Sequence, residues 1–345
     1  MSTIDDARSV PEPNKKPGVM YAFAPNGLEL PVIDVDHPAF TVDPAALEAA
    51  TRPGAMRKPS RIQAMMMRPM LRGSMLANAI SGAGGGYASG LGTYMLKLGP
   101  GNLGDGWAKP IDRAIASSLP CLSARLRLEL TARLEADAIL ALLRPRGGRS
   151  RLRIVNIAGG PSADTLNALM IARRREPGAL AGADVAIEIL DADDEGPGFA
   201  VSALDALTAA GGPLAGLRVS LERRPYDWND AASLARRLRS IADSDDDSVG
   251  AVIASEGGLF EYASDDAIRA NLDAVRDFAP RDAVVVGTVS EAAGPAGSVN
   301  EATGTAARLR GLDAFLGVAG SAGWELASSV ACPLSRCVAL RRAAS

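Results

Sequence analysis

Histidine is all but absent from this chain. The one present, His37, stands in a Pro-flanked loop ahead of the first helical region. With no second histidine, multi-histidine metal centres are excluded, and so are most Ser/His and Cys/His triads unless His37 itself is the base. Cysteine is scarce too: Cys121, Cys332 and Cys337 are too widely spread for a zinc knuckle. Their odd number and the lack of a secretory signal argue against a disulfide framework, and no metal site is expected. Aromatic residues make up only 4% of the chain, too few for a surface that stacks single-stranded nucleic acid. The formal net charge of −3 and pI near 5.5 lack the basic footprint of a DNA or RNA binder. No run of about twenty uninterrupted apolar residues and no charged-then-apolar leader is found. Neither nucleic acid nor membrane is an expected partner, and the cytoplasm is the expected location.

What is present suits a packed core: 47% of the 345 residues are hydrophobic, and the length exceeds one ordinary domain. Residues 1–40, rich in prolines, read as an extended arm. Residues 41–145 read as a helical cap for substrate binding or dimerisation. Asp43-Pro44 is a helix start, and a second helical stretch from Ile62 to Leu76 carries a methionine cluster that suits adaptable core filling. The glycine-rich stretch Ser81–Gly90 follows a helix rather than a strand, so it is a connection or lid rather than a phosphate loop. Apolar residues at helical spacing run from Ile111 to Ile139, with Pro120 splitting them into two helices. Arg144–Arg151 is a basic linker, and net charge changes across residue 150 from +5 to −8. Tyr87 and Tyr94 are the polar aromatics near the glycine-rich stretch, and ordinary packing is the better reading for both.

From residue 150 to 345 the rhythm becomes α/β. Apolar runs at Leu152–Ala158, Val185–Leu190, Val249–Ala254 and Ala283–Val289, with a weaker one at Leu217–Leu221, alternate with helical segments. This predicts a doubly wound, mostly parallel seven-stranded sheet. Two closely spaced runs around Cys332-Pro333 predict a C-terminal antiparallel hairpin.

The first strand runs into a tight turn, Ala158-Gly159-Gly160-Pro161-Ser162, which opens a helix. Glycines there allow close approach of a ligand to backbone N–H groups. The turn lacks the third glycine of a dinucleotide fingerprint, and Asp164 would repel a pyrophosphate. The second strand ends in Asp191-Ala192-Asp193, where an acid can accept hydrogen bonds from ribose hydroxyls.

Taken in order, Val155–Ser162, Ile189–Asp193, Arg224–Trp228 and Ala254–Phe260 resemble the motifs of class I S-adenosylmethionine (SAM) dependent methyltransferases. The likeness covers roughly residues 150–345. It implies a Rossmann-like domain whose cofactor is SAM, and a small-molecule methyl acceptor. Ala158, Gly159 and Gly160 would lie beneath the amino-acid part of SAM, and Asp191 would bind the ribose with Ala192 beside the adenine. Asp227 and Trp228 would flank the adenine, and Ser255 and Glu256 would close the donor pocket. Asn156 stands where the family usually has an acid; it keeps one acceptor oxygen but brings no charge. Glu256 and Tyr262 are the residues expected to touch the acceptor. A nicotinamide-dependent oxidoreductase and a non-catalytic SAM-binding scaffold are the alternatives. The helical N-terminal region offers a homodimer surface. Heavy Ala and Arg use, with no Lys after Lys109, marks a bacterial gene of high GC content.

Overall fold

The computed structural model describes residues 15–52, 71–81, 89–144, 151–242, 249–303 and 306–344. Most of the methionine-rich stretch, residues 82–88 including Tyr87, and the linker at 145–150 lie outside them.

The described part of the N-terminal arm is folded onto the body. Strands β1 (Tyr21–Phe23) and β2 (Glu29–Pro31) form an antiparallel hairpin, and Leu30, Val32, Ile33 and Val35 are buried. Helix α1 (Pro44–Thr51) begins as expected, with the Asp43 side chain accepting from Ala45 N and proline in the first turn. Helices α2 (Met75–Ser81), α3 (Gly90–Lys97), α4 (Pro110–Ala116) and α5 (Leu119–Leu143) follow. Pro120 sits in the first turn of α5, so it starts that helix where the sequence suggested a split.

The sheet comprises β3 (Arg151–Ile157), β4 (Asp184–Asp191), β5 (Arg218–Pro225), β6 (Val249–Ser255), β7 (Val284–Ser290), β8 (Trp324–Ala331) and β9 (Ser335–Arg342), in the order β5-β4-β3-β6-β7-β9-β8. The first five strands are parallel; β9 runs antiparallel between β7 and β8. This is the doubly wound sheet with reversed terminal hairpin that the sequence predicts. The hairpin turns at Cys332-Pro333, where Cys332 N donates to Ser335 O (2.8 Å).

Helices α6 (Ala163–Arg175), α7 (Glu195–Thr208), α8 (Ala231–Ala242), α9 (Leu259–Tyr262), α10 (Asp265–Phe278), α11 (Ala296–Thr303) and α12 (Gly311–Ser321) complete the chain. Strand alternation divides the core in two. Ile154, Ile187 and Val252 face α5, α6 and α7 together with the buried N-terminal segment. Val155, Ile253 and Val285 face α8, α10 and α12, where Trp324 is buried. Helix α5 thus packs on the sheet itself as well as on α6. Among the described residues no helix is long and apolar enough to cross a membrane.

The N-terminal segment is locked to the α/β body by Asn167 of α6. Its Oδ1 accepts from Val35 N (2.9 Å) and its Nδ2 donates to Ile33 O (3.0 Å), both buried. Tyr94 of α3 completes the clamp, accepting from Ile33 N (2.9 Å) and donating to Pro31 O (2.7 Å). Packing and anchoring account for Tyr94, as the sequence reading favoured. Replacing Asn167 by Ala orphans a buried N–H and a buried carbonyl, so the variant is expected to lose about 2–4 kcal/mol in urea unfolding. Hydrogen exchange at Val35 N should accelerate in parallel.

Candidate functional site

The parallel strands bring their C-terminal ends to one edge, and the chemistry-bearing residues collect there. The turn after β3 is strained: Ala158 (φ 54°) and Ser162 (φ 52°) are the non-glycine residues with left-handed backbone among the described residues, and Gly160 (φ 49°) lies between them. Such strain costs roughly 1–2 kcal/mol per residue and tends to collect at functional sites. Helix α3 approaches this turn closely. A Cβ on Gly90 would stand 2.7 Å from Gly160 Cα, and a Cβ on Gly196 would stand 2.9 Å from it. Gly90 N donates to Asp193 Oδ2 (3.0 Å).

Asp191, at the end of β4, holds the turn from the other side. Its Oδ2 accepts from Gly160 N (2.8 Å) and its Oδ1 from Asp193 N (2.9 Å). Burial raises its carboxyl above the ordinary range, against the pull of those two N–H groups. Each oxygen retains a further lone pair. Ala192 beside it is exposed. Tyr226 N donates to Asp191 O (3.0 Å), bringing the loop after β5 alongside. In that loop Asp227 is exposed and its Oδ1 accepts from Asn229 N and Nδ2 (2.9 and 2.8 Å). Trp228 is half-buried against the second core, its carbonyl accepting from Asn271 Nδ2 (2.7 Å).

Beneath the turn lies a buried polar cluster. Asn156 Nδ2 reaches Ser162 Oγ (3.0 Å), Asp164 Oδ1 (3.0 Å) and Thr165 Oγ1 (3.1 Å), and Thr165 Oγ1 donates to Glu135 Oε1 of α5 (2.8 Å). Three buried acceptor atoms have no protein partner: Asn156 Oδ1, Asp164 Oδ2 and Glu135 Oε2. Burial, then the charge of Asp164, lifts the Glu135 carboxyl well above its usual range. Burial, then the charge of Glu256, pushes Asp164 up to about 6, against the opposing pull of Lys97.

Glu256, the residue after β6, sits between two cations. Lys97 Nζ donates to its Oε2, and Arg127 Nε to its Oε1 (2.6 Å). Burial alone would raise its pKa, but Lys97 and Arg127 outweigh that and pull it to about 2. Arg127 also reaches Glu261 Oε1 and Oε2 (3.1 and 3.2 Å), and Thr288 Oγ1 donates to Glu261 Oε1 (3.0 Å). Ser255 Oγ donates to Ile157 O (2.9 Å) and accepts from Leu259 N (3.0 Å), tying β6 to β3 and starting α9. Tyr262 lies with Arg127 and Glu261 on the wall of a cavity of about 160 Å³ bounded by α3, α5, α9, α11 and the β8–β9 turn.

The sequence-predicted residues Asn156, Ala158, Gly159, Gly160, Asp191, Ala192, Ser255 and Glu256 therefore stand at the ends of three adjacent strands. Asp227 and Trp228 follow the neighbouring edge strand, and Tyr262 faces the cavity. Lys97, Arg127 and Glu135 escaped sequence reasoning; they come from helices far away in the chain, and no local pattern marks them. Asp164 was noticed only for its charge. Among the described residues no group of three or more His, Cys, Asp or Glu could hold a metal ion.

No protein-family profile and no curated protein matches the chain. Among solved structures it is similar to the mitomycin 7-O-methyltransferase MmcR, at 17% identity over 82% of this chain and 68% of that one, with a TM-score of 0.40. It is also similar to the pyocyanin biosynthetic protein PhzM (17% identity, 68% of this chain, 59% of that one, TM-score 0.39). An O-methyltransferase family protein from Burkholderia thailandensis is comparable (16% identity, 66% and 61%, TM-score 0.38). The chain spans about three fifths of the length of the last two. Likeness at this distance carries no argument about activity, which rests on the site itself.

The raised Asp164 pKa has a sign that can be tested. A carboxyl that titrates at about 6 when folded, rather than near 3.8, favours the folded state while protonated. That contribution is full below about pH 4 and is lost as pH rises through about 6. Asp164→Asn keeps the neutral form at every pH. Its stability relative to the parent should rise by up to about 3 kcal/mol between pH 4 and 7.5, measured by urea unfolding at both pH values. Equal differences at the two pH values would refute the assignment.

Proposed function

We propose that the chain is a SAM-dependent methyltransferase acting on a small-molecule acceptor. The observation that carries this reading is the set of unpartnered buried acceptors, Asn156 Oδ1, Asp164 Oδ2 and Glu135 Oε2, close under the strained glycine turn. A buried acceptor left without a donor is costly, and a cationic ligand offsets that cost. The residues fit the group: SAM carries an ammonium and a sulfonium, and it supplies a methyl carbon open to in-line displacement. A dinucleotide would bring its pyrophosphate to the same turn, against Asp164 and the ionised Glu256, which argues against the oxidoreductase alternative.

In this reading Asp191 binds the ribose hydroxyls through its remaining lone pairs, and the Ala158–Gly160 backbone supports the amino-acid portion. Asp227 and Trp228 border the adenine, with Ala192 beside it. Ser255 fixes the β6 loop from behind. Glu256, held ionised by Lys97 and Arg127, is a poor proton acceptor near neutral pH; its part is to hold the two cations and the loop in place. Tyr262, on the cavity wall, is the residue proposed to touch the acceptor. Positioning of acceptor and methyl donor supplies most of the rate enhancement, as in-line displacement requires.

Isothermal titration with SAM and S-adenosylhomocysteine, using NAD and NADP as controls, tests the proposal. Binding of the SAM pair is expected, weakened roughly 10- to 100-fold by Asp191→Ala through loss of charge-assisted hydrogen bonds. Binding of NAD in place of SAM would overturn the reading. Binding of SAM with no methyl transfer to any acceptor would leave the scaffold alternative standing.

A further inference from the structure

We infer that Asn271 of α10 is a positioning residue for the adenine end of the donor site, acting through Tyr226 and Trp228; the assignment to adenine rests on the function proposed above. Asn271 stands where an apolar side chain would be the ordinary choice. It is 1% exposed and shares a helix face with Ile268, Leu272 and Val275, all buried. Asparagine also forms helix less readily than leucine. Packing alone gives no reason for an amide at this position.

Its partners supply the reason. Tyr226 donates its hydroxyl proton to Asn271 Oδ1 (2.6 Å), while Nδ2 donates to Trp228 O (2.7 Å) and Ala267 O (2.8 Å). Carbonyls only accept, so a single orientation of the amide serves all three partners. The Tyr226 phenol keeps its proton, since burial, then the charges of Asp230 and Asp227, holds its pKa above the usual range. The bond to Ala267 O fixes the amide to its own helix, and the other two grip the loop after β5. That loop needs an anchor. It follows the edge strand of the sheet, and Pro225, Asp227, Asn229 and Asp230 are all exposed. Asn271 holds it at Tyr226 and at Trp228, the residues on either side of Asp227. Tyr226 carries the constraint onward, because its N donates to Asp191 O (3.0 Å) at the end of β4. One buried amide thus ties α10 to both residues proposed to border the adenine and, through Tyr226, to the one proposed to bind the ribose.

The test uses the whole chain and two ligands that share ribose and homocysteine but differ in the base: S-adenosylhomocysteine and S-ribosylhomocysteine. Asn271→Leu keeps the size and removes all three bonds; it should weaken the first ligand about tenfold and the second less than about twofold. Tyr226→Phe removes one bond and should weaken the first about threefold. The double variant should bind no more weakly than Asn271→Leu alone, as coupled residues require. Without ligand, amide exchange at Tyr226 N should quicken at least about fivefold in Asn271→Leu. Exchange at Val35 N, which belongs to the other core, should keep its parent rate. Should Asn271→Leu fail to fold, Tyr226→Phe carries the same two readouts. Equal weakening of both ligands, or Tyr226 N exchanging no faster than in the parent, would overturn the inference. So would equal quickening of both amides, the mark of a merely structural role. If S-adenosylhomocysteine fails to bind the parent, the function proposed above falls, and the exchange pattern decides the anchoring of the loop by itself.

Discussion

The pairing of Glu256 with Lys97 and Arg127 is the constraint on which the rest of the site depends. Lys97 ends α3, Arg127 lies in the third turn of α5, and Glu256 follows β6, so one carboxylate fixes two helices of the N-terminal region against the working edge of the sheet. The backbone makes room for it: Gly257 (φ 72°) has no side chain, and a Cβ there would stand 2.6 Å from Arg127 Nη2. Buried ion pairs seldom add net stability over a well-packed apolar substitute. What this one supplies is geometry. It sets the wall of the cavity, the path of the loop after β6 and the angle at which α3 meets the glycine turn.

That turn gathers backbone strain and unpaired acceptors in one place. Elsewhere buried polar side chains such as Asn167, Thr131 and Asn271 find partners. At the end of β3, two non-glycine residues take left-handed backbone, and the acceptors Asn156 Oδ1 and Asp164 Oδ2, with Glu135 Oε2 reaching in from α5, go unpaired. Packing around them over-determines the conformation, with Asp191 gripping Gly160 N on one side and Gly90 pressed against it on the other.

Much of the fold was legible because burial on both faces writes itself as continuous apolar runs: β3, β4, β6 and β7 begin and end within a residue or so of those runs. Strand β5 was weaker to the eye, since it lies at the sheet edge and only alternate residues of its first half are covered. The glycine turn and Asp191 were legible for a different reason, a fixed order of strand, turn, helix, strand and acid. The ion network was not. Its partners are separated by 159 and 129 residues, so no spacing connects them, and Lys97 and Arg127 look in the sequence like ordinary helix-surface cations. Glu135 was hidden for the converse reason: it interrupts an apolar helical pattern at a position that reads as solvent-facing, yet it is fully buried.

The order of strands in the sheet also imposes an order in time. Strand β8 leaves the ribosome before β9, yet its only neighbour in the sheet is β9. Until β9 has been synthesised, β8 has no edge to join, while β7 presents an unpaired edge of Val285, Val286 and Val289 to the surrounding water. A chain in which β9 has not yet docked thus holds five paired strands in this sheet, one orphan strand and one open edge, which is the condition in which sheets capture one another.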